Sequence, residues 1–171
     1  YFKNNKKLLI KAPYPNSKEV FEFTLSNSIT KKHHNYIQTP VQTVVVTSTT
    51  HIPMLELLQV EDKLKGFPNT NYISSNRTRA LIEKGSIVDL GNEENINTEL
   101  LLSLKPDVVI GFSLNSNNKM FNTIEKIGIP VILNGDWVEE TPLGRAEWIK
   151  FFGVLFNKEK EADSIFNSIE K

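Results

Sequence analysis

The chain of 171 residues contains no cysteine, so it has no disulfide bond, no thiolate nucleophile and no cysteine-ligated metal site. It also has no excess of charge of either sign, because 20 Lys and Arg residues balance 20 Asp and Glu residues. A net charge of zero gives no electrostatic reason to expect nucleic acid or an anionic membrane surface as a partner. We therefore expect no nucleic-acid partner.

Long apolar runs are also missing. No stretch approaches the roughly 20 apolar residues of a membrane-spanning helix, and no hydrophobic region of a signal peptide is present. A mature exported protein has the same features, and so does an exported lipoprotein trimmed after its lipid-bearing cysteine. These absences therefore leave the compartment open. The remaining composition, 39% hydrophobic and 23% charged residues, is that of an ordinary globular domain with one sizeable core.

The hydrophobic pattern divides the chain near Thr43. Before it, two β-rich runs flank a Pro/Asn/Ser turn and predict a hairpin or an edge pair, followed by a polar loop over 26–40. After it, short apolar strands alternate with helical segments, which predicts an α/β fold with a mainly parallel sheet flanked by helices. The β-rich runs are Leu8–Lys11 and Val20–Leu25; the predicted strands of the sheet are Val44–Thr47, Leu64–Phe67, Ile87–Leu90, Asp107–Gly111 and Ile129–Leu133; the predicted helices are Met54–Gln59, Asn76–Lys84, Asn97–Leu104 and Asn117–Ile127.

The last thirty residues are helical in pattern. Residues 144–156, "GRAEWIKFFGVLF", predict a helix with aromatic and aliphatic side chains on one side. After Asn157 a second amphipathic helix begins, with Ala162, Ile165, Phe166 and Ile169 at helical spacing. The sequence stops inside this helix without a cap or a glycine, which suggests a second lobe outside this chain.

Polar and aromatic residues collect where the predicted strands end. In an open parallel sheet, ligands bind beyond the carboxyl ends of the strands. Hydrogen-bonding groups interleaved with aromatic side chains on one rim are typical of a small-molecule site, although loops are also polar simply because they are loops. The segments that follow the five strands are 47–53, 67–72, 91–99, 111–118 and 134–145.

The stretch "VVVTSTTHIP", residues 44–53, does not carry the signals of catalysis or of phosphate binding. Ser48 and His51 are three residues apart, but G-x-S-x-G is absent and no orienting acid accompanies them. The segment has no glycine, so it is not a phosphate-binding loop. Thr49 and Thr50 fit helix capping ahead of Pro53, which is compatible with ligand contact. His51 either faces a ligand or is a hydrogen-bonded structural histidine.

The histidines and arginines are too few and too widely spaced in the sequence to predict a metal site or an anion site by themselves. His33 and His34 are adjacent, so their side chains point apart on an extended chain, and we expect no protein-ligated metal and no cofactor. Arg77, Arg79 and Arg145 flank the rim and are compatible with carboxylate or catecholate oxygens of a ligand. For Arg77 and Arg79 a solvated helix face is the favoured interpretation.

Four stretches between Thr43 and Lys171 follow one another in a recognisable order. The stretch "NINTELLLSLKPDVVIGFS" combines Asn-x-Glu, a short leucine helix, Lys-Pro-Asp and a Val-Val-Ile strand. The other three are "VVVTSTTHIPMLELLQVEDKLKGF", "IEKIGIPVIL" and "GVLFNKEKEADSI". Together they resemble the substrate-binding proteins of iron-siderophore, haem and vitamin B12 ABC importers. The N-terminal β extension lies outside the common pattern.

The resemblance implies two α/β lobes joined by one rigid helix, with the ligand held between them. Residues 43–156 then form the N-terminal lobe, 157–171 begin the interlobe helix, and 1–42 form the β-rich extension. Glu99 corresponds to the glutamate that docks onto arginines of the membrane permease; a first-turn glutamate also favours its helix dipole. The family's aromatic after the Pro-Asp strand corresponds to Phe112, and its tyrosine-bearing loop to 67–72.

The resulting hypothesis is a monomeric, non-enzymatic receptor in the periplasm or lipid-anchored at the outer face of the membrane. It delivers a metal chelate, which is an iron-siderophore, haem or cobalamin, to an ABC permease. Since "GNEENIN" lacks the aromatic that some B12 binders carry there, an iron chelate is favoured over a corrinoid. The alternative is an open-sheet α/β enzyme using a nucleotide or sugar phosphate. The expected ligand-binding residues are Thr49, Thr50, His51, Asn69, Tyr72, Phe112, Trp137 and Arg145.

Overall fold

A five-stranded parallel sheet forms the centre of the molecule. The computed structural model describes residues 5–28, 33–92, 95–114 and 118–171. In the order β10-β9-β4-β5-β6, each strand of the sheet is parallel to its neighbours. The predicted parallel α/β fold is therefore confirmed. The strands are β4 (Val44–Val46), β5 (Leu64–Phe67), β6 (Val88–Asp89), β9 (Val108–Gly111) and β10 (Val131–Leu133).

Helices cover both faces of this sheet because successive strand residues point to opposite faces. The helices are α1 (His51–Leu57), α2 (Asn76–Glu83), α3 (Thr98–Leu104), α4 (Lys119–Lys126), α5 (Pro142–Glu147), α6 (Ile149–Phe156) and α7 (Glu159–Glu170).

The two faces of the sheet belong to two buried clusters. Val45 packs with Leu101 of α3 and Phe121 of α4 on one face. Val44 and Val46 pack with residues of α1 and α6 on the other. All four residues of β9 are buried, which is the burial expected of a central parallel strand.

The N-terminal extension is a second, small sheet that shares the core of the lobe. Its strands are β1 (Lys6–Lys11), β2 (Val20–Ser26) and β3 (Tyr36–Gln38). The predicted pair is confirmed, since β1 and β2 are antiparallel. The third strand was not predicted: it lies in the expected polar loop and pairs parallel with β2. Ile10, Phe23 and Ile37 of this sheet belong to the same buried cluster as β4 and α6.

Two features of the helices differ from the sequence expectation. Helix α1 begins at His51, three residues before Met54, because the N–H groups of His51 and Ile52 bond to the carbonyls of Ser48 and Thr49. Pro53 lies in the first turn, where its missing N–H group is harmless. The expected start of α4, Asn117, lies outside the described residues.

The segment 144–156 contains two helices rather than one continuous helix. Trp148 separates α5 from α6, and its N–H and C=O groups make tight three-residue hydrogen bonds with Arg145 and Phe151. The predicted helix after Asn157 is α7, whose Ala162 and Phe166 are buried. Gly153 allows the close approach of α6 and α7, since a Cβ there would lie 2.6 Å from the Cβ of Ala162.

Between β6 and α3, the short strands β7 (Gly91–Asn92) and β8 (Asn95–Ile96) pair antiparallel. None of the helices in the described part of the chain is long and apolar enough to cross a membrane.

Candidate ligand-binding site

The order of the strands reverses between β4 and β9, and the region between the segments that follow these two strands is called the crevice below. The chain runs from β4 to β5 and β6 on one side, then crosses back so that β9 lies on the other side of β4. The connections therefore leave these two neighbouring strands in opposite directions, and ligands bind at such reversals in open parallel sheets. Hydrogen bonds anchor the segments after β4 and after β10 to β9: Thr47 N–H donates to Ile110 O at 3.0 Å, and Asn134 N–H donates to Gly111 O at 2.7 Å.

The segment after β4 presents hydroxyl groups to this crevice. Thr49 and Thr50 are exposed, and Ser48 is half-buried. The Oγ of Ser48 lies 2.8 Å from the Oγ1 of Thr50 and also accepts a hydrogen bond from the Thr50 backbone N–H. Thr50 is the N-cap residue of α1, but neither it nor Thr49 caps the helix with its side chain. The capping interpretation is therefore wrong for the side chains, which remain available for other contacts.

His51 is fully buried in the first turn of α1. Its ring lies 5.7 Å from the ring of Phe152, and neither ring nitrogen has a hydrogen-bond partner among the described residues. Burial lowers the pKa of His51 from 6.5 to about 3, so the ring stays neutral. This placement favours a structural histidine, although its expected hydrogen bond is not seen. A direct ligand contact by His51 stays a prediction and would require movement of the surrounding side chains.

An aromatic pair forms one side of the crevice. Phe112 follows β9 and Trp137 follows β10, on neighbouring strands. Their ring centroids are 6.5 Å apart and the rings meet edge to face at 78°. Both side chains are half-buried, so part of each ring remains accessible. Such a pair offers a large, rigid apolar contact to a ligand.

The segment after β5 is held in place by a carboxylate from the neighbouring strand. Asp89, at the end of β6, accepts hydrogen bonds from the backbone N–H and the hydroxyl of Thr70 at 2.8 and 2.7 Å, and from Gly91 N–H at 2.8 Å. Partial burial alone would raise the pKa of Asp89, but these hydrogen bonds outweigh it and hold the pKa below its ordinary value. Asn69 adopts the left-handed conformation that precedes a single 3-10 turn, and Tyr72 at the end of that turn is exposed.

Arg145, on α5, is exposed but not isolated. Its Nε donates to the backbone carbonyl of Glu139 at 2.9 Å, and its charge acts on the buried carboxylate of Asp136. Asp136 begins the 3-10 turn that carries Trp137. Burial raises the pKa of Asp136, while the Thr50 hydroxyl, the Trp137 backbone N–H and the charge of Arg145 act in the opposite direction.

Buried polar atoms without partners concentrate in the same region. Among the described residues, seven buried side-chain atoms make no hydrogen bond, and six of them lie at or just after the ends of β4 and β10. Native proteins leave few such atoms, and those that remain are frequent at functional sites. The six atoms are Thr47 Oγ1, His51 Nδ1 and Nε2, Asn134 Nδ2, Asp136 Oδ1 and Trp137 Nε1.

The remaining candidates lie away from this cluster. Arg77 pairs with Glu61, and Arg79 donates to the Ile73 carbonyl at 3.2 Å, so both serve local packing around α2. Glu99 is exposed in the first turn of α3.

The two adjacent histidines are also distant from the crevice. The expectation that the side chains of His33 and His34 point apart is wrong, because their ring centroids are 4.2 Å apart; both residues are exposed before β3. In the described ranges, no group of three or more His, Asp or Glu side chains is placed to hold a metal ion.

Sequence reasoning missed two carboxylates that organise the site, Asp89 and Asp136. Asp89 ends β6 and Asp136 follows β10, so the sequence pattern could have predicted that both lie at the carboxyl end of a strand. The partner of Asp89 could not be predicted, because Thr70 approaches it from another segment of the chain.

Comparison with known proteins identifies relatives of most of the chain. The model of the family described as "Periplasmic binding protein" matches residues 44–171. An uncharacterized lipoprotein of Methanocaldococcus jannaschii is 28% identical to the chain over 141 residues, which is 78% of this chain and 34% of the relative.

Solved structures share the fold at low sequence identity. A periplasmic binding protein from Veillonella parvula superposes with a TM-score of 0.68 and 18% identity, over 98% of this chain and 50% of that one. The petrobactin-binding protein YclQ of Bacillus subtilis superposes with a TM-score of 0.64 and 17% identity, over 96% of this chain and 50% of that one. The chain thus spans about half the length of these structures and a third of the curated relative.

The loop after β5 provides a first prediction. We expect Asp89→Asn to speed amide hydrogen exchange at Thr70 and Gly91 by about tenfold, because it removes charge-assisted hydrogen bonds. Since the pKa of Asp89 is lowered in the folded protein, its contribution is present above the ordinary pKa of 3.8 and is lost as the pH falls through the lowered value. Exchange measured by NMR at neutral pH tests this. Asp163→Asn, on the exposed side of α7, is the control; equal exchange in both variants would contradict the role of Asp89.

The buried histidine provides a second prediction. The unfolded chain takes up a proton at His51 below pH 6.5 while the folded chain does not until about pH 3, so folding loses stability as the pH falls through this interval. The loss is at most about 1.4 kcal/mol per pH unit from this group. We expect His51→Leu to reduce the pH slope of the unfolding free energy, measured by urea denaturation. His34→Leu, at an exposed position, should retain the slope; a His51→Leu slope equal to the wild-type one would argue against a neutral buried ring.

Proposed function

Because the chain belongs to the periplasmic binding protein family of the Fe/B12 type, we propose that it forms the ligand-binding N-terminal lobe of an extracytoplasmic solute receptor. In this proposal residues 43–156 are the lobe, 157–171 begin the helix between two lobes, and 1–42 are an extension that packs on the lobe. A second lobe outside this chain completes the cleft. The receptor delivers its ligand to the permease of an ABC importer.

The observation that carries the proposal is the rim at the reversal of strand order. Hydroxyl groups of Thr49 and Thr50, the Phe112–Trp137 ring pair and the Asn69–Tyr72 turn all lie at the carboxyl ends of the central strands. Such a rim combines polar groups that orient a ligand with aromatic surface that contacts it. The family is non-enzymatic, so the alternative of a nucleotide- or sugar-phosphate-using enzyme is rejected.

For the ligand we propose a metal chelate, and an iron-siderophore ahead of haem or cobalamin. The aromatic pair suits the apolar surface of any of the three. The petrobactin-binding relative supports the siderophore, and the stretch before Glu99 lacks an aromatic residue that would favour a corrinoid.

The proposed partner besides the chelate is the membrane permease, which Glu99 contacts. This glutamate is exposed at the start of α3, and no ion pair with another described residue commits it to the fold. The proposed location is the periplasm or the outer face of the membrane, with a lipid anchor as in the M. jannaschii lipoprotein. A monomer is expected.

Ligand titration tests the function. The full-length protein is titrated with ferric siderophores, haem and cobalamin while tryptophan fluorescence is recorded. We expect one class to bind and to change the emission of Trp137, whose ring lies at the crevice. Trp137→Phe should remove the change and Trp148→Phe should retain it, because Trp148 packs on Phe151 and donates to Glu139 instead. Binding of none of the three, or chemical turnover of any, would count against the proposal.

The proposed role of Glu99 in permease docking is tested by measuring ligand affinity and transport separately. We expect Glu99→Ala to leave the ligand affinity unchanged and to reduce ligand-stimulated transport by the reconstituted importer by about tenfold or more, as loss of an interfacial ion pair does. Glu83→Ala, an exposed glutamate at the end of α2, is the matched control. A weakened ligand affinity in Glu99→Ala, or equal transport by the two variants, would refute the assignment.

A further inference from the structure

The turn between β1 and β2, residues 12–19 of the N-terminal extension, lies against the segment that follows β10. Gly135 is buried there, and a Cβ built on it would lie 3.3 Å from the Cα of Pro13 and 3.5 Å from the carbonyl oxygen of Ala12. Both neighbours are backbone atoms, which cannot swing away as the end of a flexible side chain does. The extension and this segment therefore fit closely because residue 135 has no side chain.

Hydrogen bonds inside the turn hold these backbone atoms in place. The N–H of Ala12 donates to the carbonyl of Glu19 at 3.2 Å, and the N–H of Ser17 donates to the carbonyl of Tyr14 at 3.1 Å. The Tyr14 hydroxyl also donates to the Glu19 carboxylate. Pro13 and Tyr14 are buried, so the turn is a packed part of the molecule and not a projection into solvent.

Trp148 limits the space around the same glycine. Its Cζ2 atom lies 3.5 Å from the Cβ position built on Gly135. Its indole Nε1 donates to the Oε1 of Glu139 at 3.2 Å, so it also contacts the end of the segment. A shift of the turn is therefore passed on to the segment, since the space around Gly135 is already filled.

Gly135 is the N-cap residue of the 3-10 turn that carries Trp137. Its carbonyl accepts a hydrogen bond from the Val138 N–H at 3.0 Å, which closes this turn. The ring of Trp137 meets the ring of Phe112 edge to face, with the centroids 6.5 Å apart. The position of Gly135 therefore sets where the indole ring stands relative to Phe112.

On the basis of the proposed function, we propose that the turn 12–19 is a positioning element of the ligand site. Through the contact of Pro13 and Ala12 with Gly135, it fixes the aromatic surface that Trp137 offers to a ligand. The family model matches from residue 44, so this element lies outside the matched part of the chain. The extension thereby determines how well the apolar surface of a chelate fits this side of the crevice.

A double-mutant cycle in the full-length protein tests the contact. The indole N–H signal of Trp137 is followed by NMR in the wild-type protein, Gly135→Ala, Pro13→Gly and the double variant. We expect Gly135→Ala to shift the signal, because the added Cβ pushes the turn and the segment apart. Pro13→Gly should reduce that shift, because glycine lets the turn yield. An unshifted signal, or an equal shift with and without Pro13→Gly, would overturn the inference; a role in folding alone lowers stability without moving the native signal.

Tyr14→Phe tests the same transmission without crowding Gly135, and it decides alone if Gly135→Ala does not fold. Loss of the hydroxyl removes the hydrogen bond to Glu19 and loosens the turn, so we expect the Trp137 signal to shift or broaden. Tyr36→Phe removes a hydroxyl at an exposed position of β3 in the same small sheet and should leave the signal unchanged. Identical Trp137 signals in these two variants would contradict the proposal.

Ligand titration tests the consequence for binding. Ferric siderophores, haem and cobalamin are titrated into the wild-type protein, Gly135→Ala and the double variant. For the class that binds, we expect Gly135→Ala to weaken the affinity and the further change Pro13→Gly to recover about threefold, the coupling usual for residues in contact. Unchanged affinity beside a shifted Trp137 signal would overturn the role in ligand binding. Failure of all three classes to bind would instead overturn the proposed function, while the indole signals still decide whether the turn positions Trp137.

Discussion

The candidate site depends on the parallel pairing of β4 with β9. At the start of the two strands, Asp107 Oδ2 accepts hydrogen bonds from the N–H groups of Gln42 and Thr43 at 2.8 and 2.9 Å, and Asp107 N–H donates to Thr43 O at 2.9 Å. The register then runs from Val44 opposite Val108 to Val46 opposite Ile110. Since the chain leaves these strands in opposite directions, no single connection joins their far ends, and open parallel sheets bind ligands at such a point.

The distribution of unpaired polar atoms follows from this arrangement. Along the strands, β4 and β9 are wholly apolar and buried, so packing and backbone hydrogen bonds stabilise the sheet there. Beyond the strand ends, Thr47, Asn134 and Asp136 bury polar atoms that the described residues leave without partners. Each such atom lowers stability by about 1–3 kcal/mol. The residues that lower the stability of the fold in this region are thus the ones best suited to bind a polar group of a ligand.

The parallel sheet was predictable because it depends on local patterns. Short apolar runs alternating with helical segments predicted β5 with its observed bounds, and the β-branched run Val-Val-Ile ended by Gly predicted β9 to within one residue. The strand β3 was not predictable, because three residues in a polar segment form a strand only by pairing with β2. The break at Trp148 and the early start of α1 also depend on hydrogen bonds that no residue pattern specifies.

The sequence by itself determined which residues stand at the carboxyl ends of the strands, because strand periodicity and chain order set those positions. It thereby placed Thr49, Thr50, Phe112 and Trp137 on one rim. Only the tertiary structure decided which of them meet and which are hidden: Phe112 contacts Trp137, and His51 packs against Phe152. The physical reason is that burial and hydrogen bonding belong to pairs of groups, and the members of these pairs come from segments that only the folded sheet brings together.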